Sequence, residues 1–415
     1  MFPTVDLYGI KSWFRFGFLF VIGFILCFLI HIFPLQNPVY AESGVSKQLV
    51  EQGIASYQKN QFSEAIAFWE QALSQLLSNE DKVIVYNNLA QAYRKIGQLD
   101  QAIEAWEKAI QLSPFNNELE VAKFKIEQGQ TYSELGQHEQ AIKLLESVLK
   151  IAKENKDEEL AAIAQGSLAN SYWALGDYST ALIAGQASVI IAQNINNNSY
   201  LATALNNLGN IYFSLAEKEI FQANLADLEG DIFGKEELEA LAESHFQTAL
   251  NTFQKSVEIS EAVGGMTAIR TRLNFNRMLR QLPLDLLKES TEILVRENQN
   301  EILSLLNNQP PSRDKAYALI NLADSLQSEH SQQQLDVIKL LQEALLIARN
   351  IGDRRSESFA LGTLGKIYES TQNYDTAIEL NRQAQYAAQG INAADSLYRW
   401  QWQLGRVCEL PDAES

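Results

Sequence analysis

Small residues recur along this chain at an almost fixed interval, and an internal repeat constrains a fold more than any other sequence feature. Gly53, Ala90, Gly129, Ala169 and Gly209 stand 37 to 40 residues apart, and Ala323, Gly365 and Gly405 stand 40 to 42 apart. Ala65, Ala102, Ala141, Ala181 and Ala377 follow in the same frame, as do Tyr93, Tyr132, Tyr172, Tyr212 and Tyr368. This pattern fits pairs of helices. A small residue on each partner lets the two helices approach closely, while large residues such as Leu89, Tyr93 and Trp106 fill the space between successive pairs. Gly97 suits the tight turn inside a pair, where φ can be positive.

Segment 83–114, VIVYNNLAQAYRKIGQLDQAIEAWEKAIQLSP, places Leu89, Ala90, Tyr93, Gly97, Ala102, Trp106, Ala109 and Pro114 where tetratricopeptide repeats (TPRs) place theirs. The chain therefore resembles a TPR protein, and the resemblance implies an all-α solenoid of about eight helical hairpins, elongated and curved. The intervals exceed the TPR period of about 34 residues. A longer second helix per repeat, as in the kinesin-light-chain-like subset, accounts for the excess. A narrower likeness covers most of residues 42–407: PPSRDKAYALINLADSL, LLQEALLIARNIGDRRSESFALGTLGKIYE and SLYRWQWQLGRV resemble the repeat region of bacterial TPR–CHAT proteins, in which a caspase-like domain follows the repeats. No caspase-like His and Cys pair can be carried over onto this sequence. The resemblance leaves two readings, a stand-alone scaffold or the regulatory repeat part of a truncated or split caspase-like protease.

Gly209 and Ala323 are 114 residues apart, which is more than two repeats. Segment 217–244 reads as a helical insertion, either a plain extension of one hairpin or a protruding recognition element. Residues 46–266 then hold repeats including the insertion, 267–308 a degenerate repeat broken at Pro283, 309–408 the C-terminal repeats and 409–415 a tail. Pro310 and Pro311 mark a turn. The last unit is half a repeat, which leaves Leu404 and Val407 short of a cover and points to self-association there.

Lys11 and Arg15 precede an uncharged run, 16–33, and Val39 and Ala41 suit signal peptidase. Residues 1–41 are expected to be a signal peptide cleaved after Ala41, or an anchor whose run of 18 residues just spans a bilayer. The protein is thus expected outside the cytoplasm or tethered to the membrane. Two cysteines, Cys27 and Cys408, give no disulfide framework. A net charge of −18 opposes nucleic acid, whose recognition needs Lys and Arg to displace counterions.

Four histidines, His31, His138, His245 and His330, do not converge in sequence with any nucleophile, and no metal-ligand spacing or phosphate loop occurs. No enzyme activity, catalytic residue, metal or cofactor is expected. Helix A lines the concave face in a TPR array. On that basis Asn88, Gln91, Gln130, Asn170, Asn207, Asn210, Asn321 and Asp324 are the candidate contacts for a protein or peptide partner. Amides both donate to and accept from an extended backbone without demanding a sequence. The alternative is that they bond between helices. A carboxylate clamp of the kind some TPR proteins use does not fit. Asn88 and Lys123 match its pattern, but Val50, Ile54 and Glu127 stand at the other three positions.

Overall fold

The structure, a computed structural model, describes residues 44–75, 78–114, 117–282, 289–326, 331–391 and 393–408. The leader-like segment 1–41 and the tail 409–415 lie outside the described residues. Among the described residues the chain forms seventeen helices and no strands. They pair in order: α1 (Gly44–Gln58) with α2 (Phe62–Leu73), α3 (Asn79–Lys95) with α4 (Leu99–Leu112), α5 (Glu118–Glu134) with α6 (His138–Asn155), and α7 (Glu158–Ala174) with α8 (Tyr178–Asn194). Then come α9 (Asn198–Glu229) with α10 (Ile232–Val263), α11 (Gly265–Gln281) with α12 (Glu289–Asn307), α13 (Arg313–Ser325) with α14 (Ser331–Ile351), and α15 (Arg354–Ser370) with α16 (Tyr374–Gln389). A last helix, α17 (Ala394–Cys408), packs on α16. Among the described residues no helix is long and apolar enough to cross a membrane.

Local sequence explains where eight of these helices start. Ser78, Asp157, Asp177, Asn197, Asp231, Ser312, Asp353 and Asn373 each accept a backbone N–H of the first turn, satisfying a donor the helix leaves free. Turns within hairpins use a left-handed residue, at φ 75° in Gly97 and 78° in both Gly136 and Gly176. Gly264, also at positive φ, makes the single-residue break between α10 and α11.

The marker glycines work as close-approach sites. A Cβ on Gly53 would strike the Trp69 indole, one on Gly209 would crowd the Phe253 ring, and one on Gly365 would meet Asn381. All three partners lie on the second helix of the same hairpin. Successive hairpins are then tied by the tyrosines. The Tyr93 hydroxyl donates to Glu70 and that of Tyr172 to Glu146 at 2.9 Å, each acid lying on the preceding second helix. At the C-terminal end Val407 is fully buried, because α17 lays that edge on α16, so the expectation that it lacks cover is corrected. Leu404 is half-buried, and Tyr398 and Trp402 of that helix are exposed at 56% and 57%.

The array does not stay open. One hydrophobic cluster contains Val50, Trp69 and Trp106 from the first hairpins together with Tyr317, Ile351 and Phe359 from the seventh and eighth. The superhelix has come round far enough for its two ends to meet, so the expected elongated solenoid is a curled one.

Candidate partner-binding surfaces

Where the ends meet, the concave face of α3 and α5 is filled by charged residues of the chain itself. Arg94 on α3 donates through Nε to Glu134 Oε1 at 2.9 Å and pairs with Glu127 Oε2 at 2.5 Å, both acids on α5. Arg313, at the start of α13, donates to the Arg94 carbonyl oxygen. It also stands 3.5 Å from both Glu134 Oε2 and Asp353 Oδ2, and its guanidinium lies 5.4 Å from the centre of the Tyr317 ring. Next to it Asp314 faces Arg270 at 3.3 Å and Lys95 at 3.9 Å. All these groups are nearly inaccessible, so desolvation opposes every charge and pairing must offset it. Burial pushes the Glu127 carboxyl up despite Arg94, and burial pulls the Lys95 ammonium down despite Asp314. Buried ion-pair clusters often give less net stability than apolar packing of the same volume would, but removing one partner from such a cluster is costly. The positions of the unmatched clamp lie here too: Val50 and Ile54 are core, and Glu127 is held by Arg94.

Beyond this closure the amide positions form a row on α5, α7 and α9. Gln130, Asn170 and Asn210 each follow a marker by one residue. Gln130 Nε2 donates to Ser167 Oγ at 3.2 Å, and Asn210 Oδ1 accepts from Arg277 Nη2 at 2.8 Å. Asn207 Oδ1 lies 3.5 Å from Asn206 Nδ2. Three atoms of this row are buried with no hydrogen-bond partner: Gln130 Oε1, Asn170 Nδ2 and Asn207 Nδ2. The other candidates lie apart from the row. Asn88 is fully buried, Gln91 and Asn321 are half-buried, and Asp324 is exposed and accepts from Lys366 at 3.3 Å. Two residues absent from the sequence reading join the row from α11: Arg277, and Asn274, whose Nδ2 donates to Asn206 Oδ1 at 3.1 Å. Their spacing of three, the same as that of Asn207 and Asn210, was the available signal.

The tetratricopeptide repeat family model matches residues 81–154 and 119–193. The fold is a TPR-like solenoid. A second model, anaphase-promoting complex subunit 5, matches residues 307–371. No curated protein sequence matches the chain. Among solved structures the apo form of RapI is similar with a TM-score of 0.50 at 15% identity, covering 77% of this chain and 99% of that one. A Rap protein complexed with competence and sporulation factor has a TM-score of 0.49 at 12% identity, covering 88% of this chain and 84% of that one. A putative kinesin light chain repeat protein of Podosopora anserina has a TM-score of 0.39 at 19% identity, covering 53% of this chain and 98% of that one. At 15% identity the likeness to RapI concerns the fold alone.

The TPR-like hairpin α9/α10 departs from its neighbours in length. Both helices have 32 residues where most others have 14 to 19. At 1.5 Å per residue the extra turns carry the tip roughly 20 Å beyond the other hairpins. The segment anticipated as an insertion is thus continuous helix on both sides. Its tip is tightly built, with Gly230 at φ 79°, Asp231 capping α10 through the Gly234 N–H at 3.0 Å, and Lys235 bridging to Asp227 at 3.0 Å. Lower down, Glu219 accepts from His245 at 2.8 Å across the hairpin. Leu228, Ile232 and Phe233 at the tip are 84%, 64% and 85% exposed.

Proposed function

We propose that this chain is a protein-interaction scaffold that holds an extended segment of a partner along the amide row of α5, α7 and α9. One observation carries the reading. Gln130 Oε1, Asn170 Nδ2 and Asn207 Nδ2 are buried polar atoms without a partner, on neighbouring first helices of consecutive hairpins. A buried donor or acceptor left unmade costs about 1–3 kcal/mol, so three in one row favour a ligand backbone that satisfies them. Both donors and an acceptor are on offer, which is what an extended peptide requires. The leader-like residues 1–41 support a location outside the cytoplasm or at the membrane, and a mature protein beginning at Glu42 would mark cleavage.

The test is the double variant Asn170→Ala, Asn207→Ala against peptides selected on the unaltered protein from a random 12-residue library. Each hydrogen bond lost is worth about 0.5–1.5 kcal/mol, so affinity should fall about tenfold while the melting temperature is kept or raised. A folded double variant that binds the selected peptides unchanged overturns the reading.

A further inference from the structure

The amide-bearing face of α9 does not end with the repeat. Asn207, Asn210, Ser214, Glu217, Phe221, Leu225 and Leu228 follow one another in steps of three or four, the spacing that keeps residues on one side of a helix. The residues that pack α9 onto α10, among them Ala216 and Ala223, lie on the other side and are buried with Ala242 and Phe246. Along this line the chemistry changes in order. Buried amides come first, then buried Ser214, which accepts from Trp173 Nε1 at 2.9 Å, then Glu217, with a buried Oε2 that has no partner, and then three apolar side chains that are 49%, 43% and 84% exposed. A stripe of this kind on a helix already packed on its opposite side is a second apolar face, the kind that seats another helix.

The surroundings of the stripe say what it can seat. Residues 217–244 carry nine Asp and Glu against two Lys. Both lysines are already engaged, Lys235 with Asp227 at 3.0 Å and Lys218 over the Tyr178 ring at 5.9 Å. A second copy would bring the same negative charge to the same place, and an anionic lipid surface would be repelled as well. An apolar stripe with an acidic rim is complementary to an amphipathic helix whose polar edges are Lys and Arg.

We propose that the outer face of α9, from Glu217 to Leu228, is a docking surface for a basic amphipathic helix of a partner protein. The partner's apolar side chains lie on Phe221, Leu225 and Leu228, and one of its Lys or Arg residues donates to Glu217. This surface continues the amide row, and the proposal rests on the reading of that row as a binding face only in placing both on one ligand.

A fluorescent 18-residue helical peptide of Leu and Lys, with Glu-for-Lys and scrambled versions, tests it on the whole protein at pH 8. The Leu/Lys peptide should bind, weaken with salt, and lose at least tenfold in affinity on Leu225→Ser with Leu228→Ser. Both side chains are exposed, so the fold should be kept, which circular dichroism checks. Glu217→Gln should cost about fivefold and lower the salt dependence. The proposal is overturned if the Ser variant binds as the unaltered protein does, or if the Glu or scrambled peptides bind equally well. It is also overturned if sedimentation shows the Ser variant converting a dimer to a monomer, because the stripe then seats a second copy. Asn170→Ala with Asn207→Ala tests the amide row separately. If that pair alone weakens the selected extended peptides and the Leu/Lys peptide ignores the stripe, the scaffold reading stands without this one.

Discussion

Arg313 and Glu134 lie in the seventh and third hairpins, yet Arg313 Nη1 stands 3.5 Å from Glu134 Oε2 at the point where the array meets itself. Both residues are buried. Arg313 also donates to the Arg94 carbonyl and faces Asp353, so one guanidinium of the seventh hairpin touches the second, the third and the eighth.

Replacing Arg313 with Met should therefore destabilise the protein by about 3–5 kcal/mol, since it takes the guanidinium away from buried Asp353 and leaves Glu134 with Arg94 alone. Urea unfolding measures the loss, and small-angle scattering should show a larger radius of gyration as the ends part. Adding Glu134→Gln to Arg313→Met should cost less than the two single effects combined, because the two share one interaction. Additive effects and an unchanged radius would mean that the ends do not hold each other.

Gly97 offers an independent test of the same closure. Its φ of 75° nearly equals the 78° of Gly136 and Gly176, so Ala imposes about the same backbone strain at all three, roughly 1–2 kcal/mol. The surroundings differ. A Cβ at Gly136 or Gly176 meets nothing within 4 Å, while one at Gly97 would sit 2.7 Å from Asp353 Oδ1 and 3.1 Å from Arg355 Cβ. Gly97→Ala should thus be more destabilising than Gly136→Ala or Gly176→Ala by differential scanning calorimetry. Equal costs at the three glycines would contradict the contact between the turn after α3 and the start of α15.

The hairpins were legible in the sequence because their contacts are local and periodic. Gly53 and Trp69, or Gly365 and Asn381, lie 16 residues apart on the two helices of one pair, and a fixed spacing announces them. The long hairpin was legible as surplus length between Gly209 and Ala323. Closure was not. The approach of Arg313 to Glu134 depends on small rotations summed over several hairpins, and no residue type records that sum. The amides fall between these cases. Their register was visible, but the bond from Gln130 to Ser167 and the three atoms left unpaired depend on how far neighbouring first helices stand apart.

Glu217 gives a prediction in pH. Burial raises its carboxyl from 4.5 to about 8, and Arg277 on α11 pulls it back only in part. On α8 the nearby Tyr178 phenol is pushed up as well, first by burial and then by this carboxylate. Lys218 on α9 itself is turned to the Tyr178 ring. The folded protein therefore keeps a proton at Glu217 that the unfolded chain releases near 4.5. That contribution to stability is present in full below pH 4.5, declines as the pH rises, and is gone above about 8. Its slope can reach about 1.4 kcal/mol per pH unit. Glu217→Gln has no proton to lose. Compared with the unaltered protein in urea unfolding from pH 5 to 9, it should gain relative stability steadily until about pH 8 and then level off. Subtracting the two curves removes the other buried groups, Glu127 and Lys95 among them, which titrate alike in both proteins. A flat difference would mean that the Glu217 carboxylate is solvated in the folded state, and the acid at the head of the apolar stripe would not be waiting for a cation.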